Sequence, residues 1–267
     1  MSLLEGCKIY IMPNQKILYV TTELYPYQED SNMATAVNKM ALKMHQEGND
    51  VRVFMPRFGL ISERKFQLHE VIRLSGMNII INDLDQPLII KVASLPGERL
   101  QVYFIDNEEY FKRKHYYTDE DGNEFDDNGE RAVFFARGVI ETIKKLNWVP
   151  DVIHLNGWMS SFIPVYLKKY YKNDYYFKNT KLVLSVYNEP NNNFNETVNE
   201  VLKFDNITDL DALKKPCSEK FVMDSMNLVD VLIKGDEFLE GDIEACFSKS
   251  KTEKADYIEP EQIEKVY

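Results

Sequence analysis

A chain of 267 residues with 44% hydrophobic and 12% aromatic side chains can bury a substantial core, as one large domain or two modest ones, which excludes a disordered polymer. Asp and Glu number 43 against 32 Lys and Arg, a formal charge of -11. Such a surface repels phosphate backbones and anionic membranes before contact, so neither nucleic acid nor membrane is an expected partner. Cys7, Cys217 and Cys246 are too few and too scattered for a disulfide framework or a closed zinc site and suit a reducing, cytoplasmic setting. No metal and no cofactor is expected.

Residues 1–16 read as an N-terminal extension: Lys8, Pro13 and Lys16 interrupt any apolar run, so no export signal is expected there. The first strong element is Ile17–Glu23, β-branched and aromatic with few charges, the pattern of a strand buried on both faces of a parallel sheet. Met33, Val37, Met40 and Met44 then recur at helical spacing, and Gly48 supplies a stop. Val51–Pro56 reads as a second strand, completing a parallel strand-helix-strand unit.

From about Phe66 to Asp106 the runs MNIIIND, LIIKVAS and RLQVYFID, parted by Asp-Gln-Pro and Pro-Gly-Glu turns, indicate a β-rich insertion with hairpins. A polar, aromatic connection follows to Asn128. Asp127 with Glu130 three residues on gives a capping-box signal for a helix that buries Val133, Ala136, Ile140 and Ile143. Next come the strand DVIHL, a helix with Trp158, Phe162 and Val165 on one face, and the strand KLVLSVYN. After Pro190, NNNFNE reads as an internal lid or boundary. A further apolar stretch spans Leu228 to Ile233, and residues 246–267 read as a charged, peripheral tail. The expected architecture is therefore α/β: a Rossmann-like, doubly wound, mostly parallel sheet over 17–245, with a β-hairpin insertion at about 66–106.

Four segments together resemble glycosyltransferase family 5, the bacterial glycogen and plant starch synthases. They are ILYVTTELYPY, GNDVRVFMPRFG, DNEEYFKR with DEDGNEFDDNGERAVFFARGVIE, and WVPDVIHLNGWMSSFIPVYLK. The resemblance implies the N-terminal half of a two-domain GT-B glycosyltransferase, whose donor-binding second domain is not represented. It also implies an α-glucan or a sugar nucleotide as ligand, with a donor-domain protein as partner if the chain is to act as a transferase.

The motifs that carry the family's chemistry are altered. Where the family has Lys-Thr-Gly-Gly-Leu, this chain has Glu29-Asp30-Ser31-Asn32-Met33. Two carboxylates replace a cation and a hydroxyl, which opposes a diphosphate; a solvated helix start capped by Asp30 or Ser31 is the plainer reading. In His154-Leu155-Asn156-Gly157-Trp158-Met159 the family's aspartate falls on Gly157 and its second histidine on Met159, a thioether that neither titrates nor donates a strong hydrogen bond. His154 and Trp158 match, either as ligand groups or as packed core side chains. In Val186-Tyr187-Asn188 tyrosine replaces the family's histidine, while Asn188 matches. Glu29, Gly157, Met159 and Tyr187 thus mark altered catalytic positions, and Ser31, Asn32, His154, Asn156, Trp158 and Asn188 are the candidate ligand-binding residues.

Outside these motifs, Asp119-Glu120-Asp121-Gly122 resembles a calcium loop only superficially, because the EF-hand register puts Tyr117 first and Asn128 twelfth, where carboxylates are needed. His115, Tyr116 and Tyr117 suit either stacking on sugar rings or a packed Ω-type loop. The reading that best fits the pattern of substitution is a pseudoenzyme: a synthase-like domain kept for glycan binding or regulation. The alternative is the acceptor side of an ADP-glucose or UDP-glucose transferase completed by a partner.

Overall fold

The structure is a computed structural model that describes residues 14–267; most of the expected N-terminal extension, with Cys7, Lys8 and Pro13, lies outside the described residues. In chain order, β1 (Lys16–Thr21) leads to α1 (Asn32–Gln46) and β2 (Asp50–Pro56). Then follow α2 (Glu63–Phe66), β3 (His69–Glu70), β4 (Met77–Ile81), β5 (Leu84–Ser94) and β6 (Gln101–Asp106). The connection holds α3 (Glu108–Phe111) and opens into α4 (Asn128–Leu146). The second half runs β7 (Val152–Asn156), α5 (Phe162–Lys169), β8 (Lys181–Val186), α6 (Thr197–Phe204), α7 (Ser218–Ser225), β9 (Val231–Lys234), α8 (Gly241–Lys249) and β10 (Glu253–Ala255).

The sheet order is β10-β9-β8-β7-β1-β2-β6-β5-β3, with β4 paired to β5. All neighbours from β10 to β6 are parallel; β6-β5, β5-β3 and β5-β4 are antiparallel. The insertion expected near 66–106 is therefore real but divided. Its hairpin strands cover one edge, while β6 belongs to the main parallel sheet because its partner is β2. The central strands β1 and β7 have no exposed residue, which is why they read as continuous apolar runs rather than as alternation.

α1 buries Met33, Val37, Met40 and Met44 against the sheet. α4 likewise buries Val133, Ala136, Ile140 and Ile143. The start of α4 was anticipated correctly but for the wrong reason. Asp127 makes no side-chain cap, because its carboxylate is taken by a two-point pair with Arg113 at 2.7 and 2.5 Å. A bidentate charged pair outcompetes a single hydrogen bond to a helix-start amide. The segment after Pro190 is tied down rather than free: Phe194 is buried and packs on Trp158, Phe162 and Phe221.

The C-terminal segment departs most from expectation. Residues 246–267 are not a peripheral tail: β10 adds a parallel strand beside β9, Ile263 and Val266 are buried, and Tyr267 is 3% exposed. Most of its charged residues are exposed while the apolar ones at Ala255, Ile263, Val266 and Tyr267 close the core, and one contiguous cluster of buried hydrophobics runs from Ile17 to Tyr267.

Candidate functional site

The strand order reverses at β1, which lies between β7 and β2, so the loops leaving β1 and β7 diverge and open a crevice at the carboxyl ends of the strands. A cavity of about 410 Å³ occupies that place, a size usual for small-molecule sites. Glu23 enters from the end of β1, Ser31 and Asn32 from the start of α1, Trp158 from beyond β7, Tyr187 and Glu189 from beyond β8, and Asp236 from beyond β9. Tyr116 and Tyr117 reach in from the long connection before α4. That connection is held by packing, with Tyr116 and Tyr117 edge-on to Phe58 and Tyr117 edge-on to Trp158.

The sequence candidates divide in two. Ser31, Asn32, Trp158, Tyr187 and Asn188 line the crevice. Ser31 is the N-cap of α1, accepting from the Ala34 amide at 3.1 Å, while its hydroxyl donates to the Glu23 carboxylate. The positive end of the α1 dipole therefore faces a carboxylate already in place. Asn188 also has structural duties: its side chain donates to Asp236 Oδ2 at 3.1 Å and to the Phe238 carbonyl at 2.7 Å, and accepts from the Glu240 amide at 2.9 Å. It pins the loop after β9 to the end of β8.

Glu29, His154, Asn156, Gly157 and Met159 do not line the cavity. Glu29 is exposed and pairs with Lys65 at 3.3 Å. Met159 is wholly buried in the core. His154 is also wholly buried, with Nδ1 bonded to the Tyr267 hydroxyl and Nε2 to the Ser185 hydroxyl at 2.7 Å. Both ring nitrogens are thus engaged by hydroxyls, and Tyr267 in turn reaches the Tyr19 hydroxyl at 3.0 Å. Burial without a carboxylate drives the His154 pKa down from 6.5 to about 3, so the ring is neutral and structural. Asn156, buried below the crevice, accepts from the Tyr187 hydroxyl at 3.0 Å and so orients that ring from beneath.

Gly157 occupies a backbone position that admits no side chain. It holds φ +81° and ψ +150°, a region essentially reserved for glycine. A Cβ there overlaps Thr22 Oγ1 and stands 3.1 Å from Thr22 Cβ, and Thr22 is wholly buried. An aspartate has no room at this position.

Sequence reasoning missed Glu23, Glu189 and Asp236. Each is an acidic residue within a few positions of a parallel strand's carboxyl end, the one signal that could have found them. Glu189 is half-buried, accepts from the Trp158 amide at 3.2 Å, and has its pKa raised from 4.5 to about 8, chiefly by burial and further by the charges of Glu23 and Asp236. With Asp30, four carboxylic groups line the crevice, and no Lys or Arg does so among the described residues. The described residues hold no cluster of three or more His, Cys, Asp or Glu able to hold a metal; Asp119, the core of the calcium-like loop, instead caps its own turn through the amides of Asp121 and Asn123.

A doubly wound sheet with polar and aromatic groups gathered at its switch point defines the class of this protein as a Rossmann-like domain. The starch synthase catalytic domain profile matches residues 16–232, and the chain belongs to that family. It is 40% identical over 176 residues to a glycogen synthase of Chlorobium luteolum and 39% identical to one of Chlorobium limicola, alignments covering 66% of this chain and 36% of each relative. The chain thus spans about a third of the length of these curated relatives. Among solved structures, the catalytic domain of starch synthase IV from Arabidopsis thaliana bound to ADP and acarbose matches with a TM-score of 0.66 at 14% identity, over 82% of this chain and 44% of that one. No helix among the described residues is long and apolar enough to cross a membrane.

Proposed function

We propose that this glycogen/starch synthase-like domain is a cytoplasmic glycan-binding or regulatory relative, which holds a neutral α-glucan in the switch-point crevice and does not transfer glucose by itself. The observation that carries the proposal is the lining: Glu23, Asp30, Glu189 and Asp236 with tyrosines and a tryptophan, and no cation among the described residues. A departing nucleoside diphosphate requires preorganised positive charge and a water-excluded site; Glu23, Asp30 and Asp236, with no Lys or Arg beside them among the described residues, supply the opposite field. Sugar hydroxyls are neutral and both donate and accept, so carboxylates, amides and aromatic faces are suited to them.

A second reading makes the domain the acceptor side of an ADP-glucose or UDP-glucose transferase completed by a donor domain. The ADP and acarbose bound by the Arabidopsis neighbour, together with the family match at Trp158 and Asn188, support it. Glucose transfer to glycogen from radiolabelled ADP-glucose or UDP-glucose separates the two, measured with the chain alone and with any co-purifying protein. No turnover by the chain alone is expected, and robust turnover overturns the non-catalytic reading. Retarded migration in a glycogen-containing native gel is expected; unchanged migration removes glycan binding.

A further inference from the structure

A second cavity, of about 440 Å³, lies between α1 and the segments that follow β9 and β10. Asn32 and Asp236 line both this cavity and the switch-point crevice, so the two form one trough along the flank of α1. Beyond those shared residues the second cavity offers Thr35 and Lys39 from α1, and Tyr257 and Glu259 from the C-terminal segment. Tyr257 and Glu259 lie outside residues 16–232, the part that matches the family. This half of the trough is built by the docking of the C-terminal segment on α1.

We propose that this cavity is a second sugar subsite, holding the continuing units of a linear, neutral glucan whose end occupies the crevice; the inference rests on the glycan-binding reading above. The chemistry excludes simpler occupants. Lys39 is already paired with Glu261 at 2.9 Å, and with Asp236 and Glu259 alongside, an anion meets net repulsion. A metal ion lacks a ligand set among the described residues. A polyol finds hydroxyl, amide, carboxylate and ammonium partners spread around one half-buried aromatic ring, Tyr257, against which an apolar sugar face can stack. Each cavity falls within the usual volume of a small-ligand site, roughly 300–1,000 Å³, and their continuity makes affinity depend on the length of the glucan.

The test is calorimetric titration of the full chain with maltose and with maltoheptaose. In the unaltered protein maltoheptaose binds more tightly than maltose. Tyr257→Ala weakens maltoheptaose by about 2- to 12-fold, the factor set by the usual worth of an aromatic contact, and leaves maltose unchanged, while Tyr257→Phe behaves as the parent. Thr35→Trp, on the exposed face of α1, fills the trough without touching the core and abolishes the gain with length; it decides the matter if Tyr257→Ala does not fold. Equal affinity for the two sugars in the parent protein, or a length gain that survives Thr35→Trp, overturns the second subsite while leaving the crevice reading intact. Binding of neither sugar overturns both.

Discussion

Gly157 offers the sharpest test of why this backbone excludes a side chain at position 157. Gly157→Ala adds only a methyl group, yet places it in a region of φ and ψ that costs about 1–3 kcal/mol for any residue with a Cβ. It also drives that Cβ into Thr22, which is wholly buried and has no free space to enter, for a further ~1–3 kcal/mol of crowding. The expected loss is therefore about 2–6 kcal/mol, a large share of a usual domain stability of roughly 5–15 kcal/mol. At roughly 2–4 °C per kcal/mol for a chain of this order of size, the melting temperature falls by about 4–24 °C. Thr22→Ala relieves the crowding but not the backbone strain, so the double variant recovers about 1–3 kcal/mol relative to the sum of the singles. Gly157→Asp, which restores the family's side chain, is at least as damaging as Gly157→Ala and confers no glucose transfer. Thermal and urea unfolding of the four-protein cycle measure these terms. A cost below about 0.5 kcal/mol for Gly157→Ala, or additivity with Thr22→Ala, refutes the steric account.

Two pH predictions have opposite signs. His154, with its pKa depressed from 6.5 to about 3, binds a proton more readily when unfolded, so its stabilisation is whole above pH 6.5 and is lost as pH falls toward 3. Relative to His154→Gln, the parent protein is expected to lose up to ~1.4 kcal/mol per pH unit across that window, read from urea unfolding at pH 7, 6, 5 and 4; parallel curves for the two proteins contradict a buried neutral ring. Glu189, with its pKa raised from 4.5 to about 8, binds a proton more readily when folded, so stability falls as pH rises through that interval. Glu189→Gln keeps an oxygen for the Trp158 amide and is expected to stabilise at pH 8 by about 1–2 kcal/mol, less than the full shift implies because solvent still reaches the half-buried carboxyl; a loss of stability there shows that the carboxylate is welcome in the crevice.

The local order of this chain was legible because strand and helix periods leave direct traces. The β1, β7 and β8 strands read as apolar runs since both of their faces are covered, and α1 and α4 showed their buried faces through Met33, Val37, Met40 and Met44 and through Val133, Ala136, Ile140 and Ile143. The family followed from short motifs at strand ends, and the profile match over 16–232 agrees. Ser31 as helix cap was also readable, because a hydroxyl just ahead of a helical run has a local partner.

Long-range competition was not readable in this way. Asp127 looked like a cap until Arg113 took its carboxylate. His154 read either as a ligand group or as a packed core side chain, and its burial under Tyr267, 113 residues away, depends on a contact no local pattern carries. Glu23, Glu189 and Asp236 are distant in sequence and meet only because parallel strands order their carboxyl ends side by side. The sequence by itself determined the Rossmann-like scaffold, since periodicity and residue identity are local properties. Only the tertiary structure decided that the crevice is acidic, that Gly157 cannot accept an aspartate, and that residues 246–267 complete the core and extend the trough, because which groups share a burial site depends on distant segments packing together.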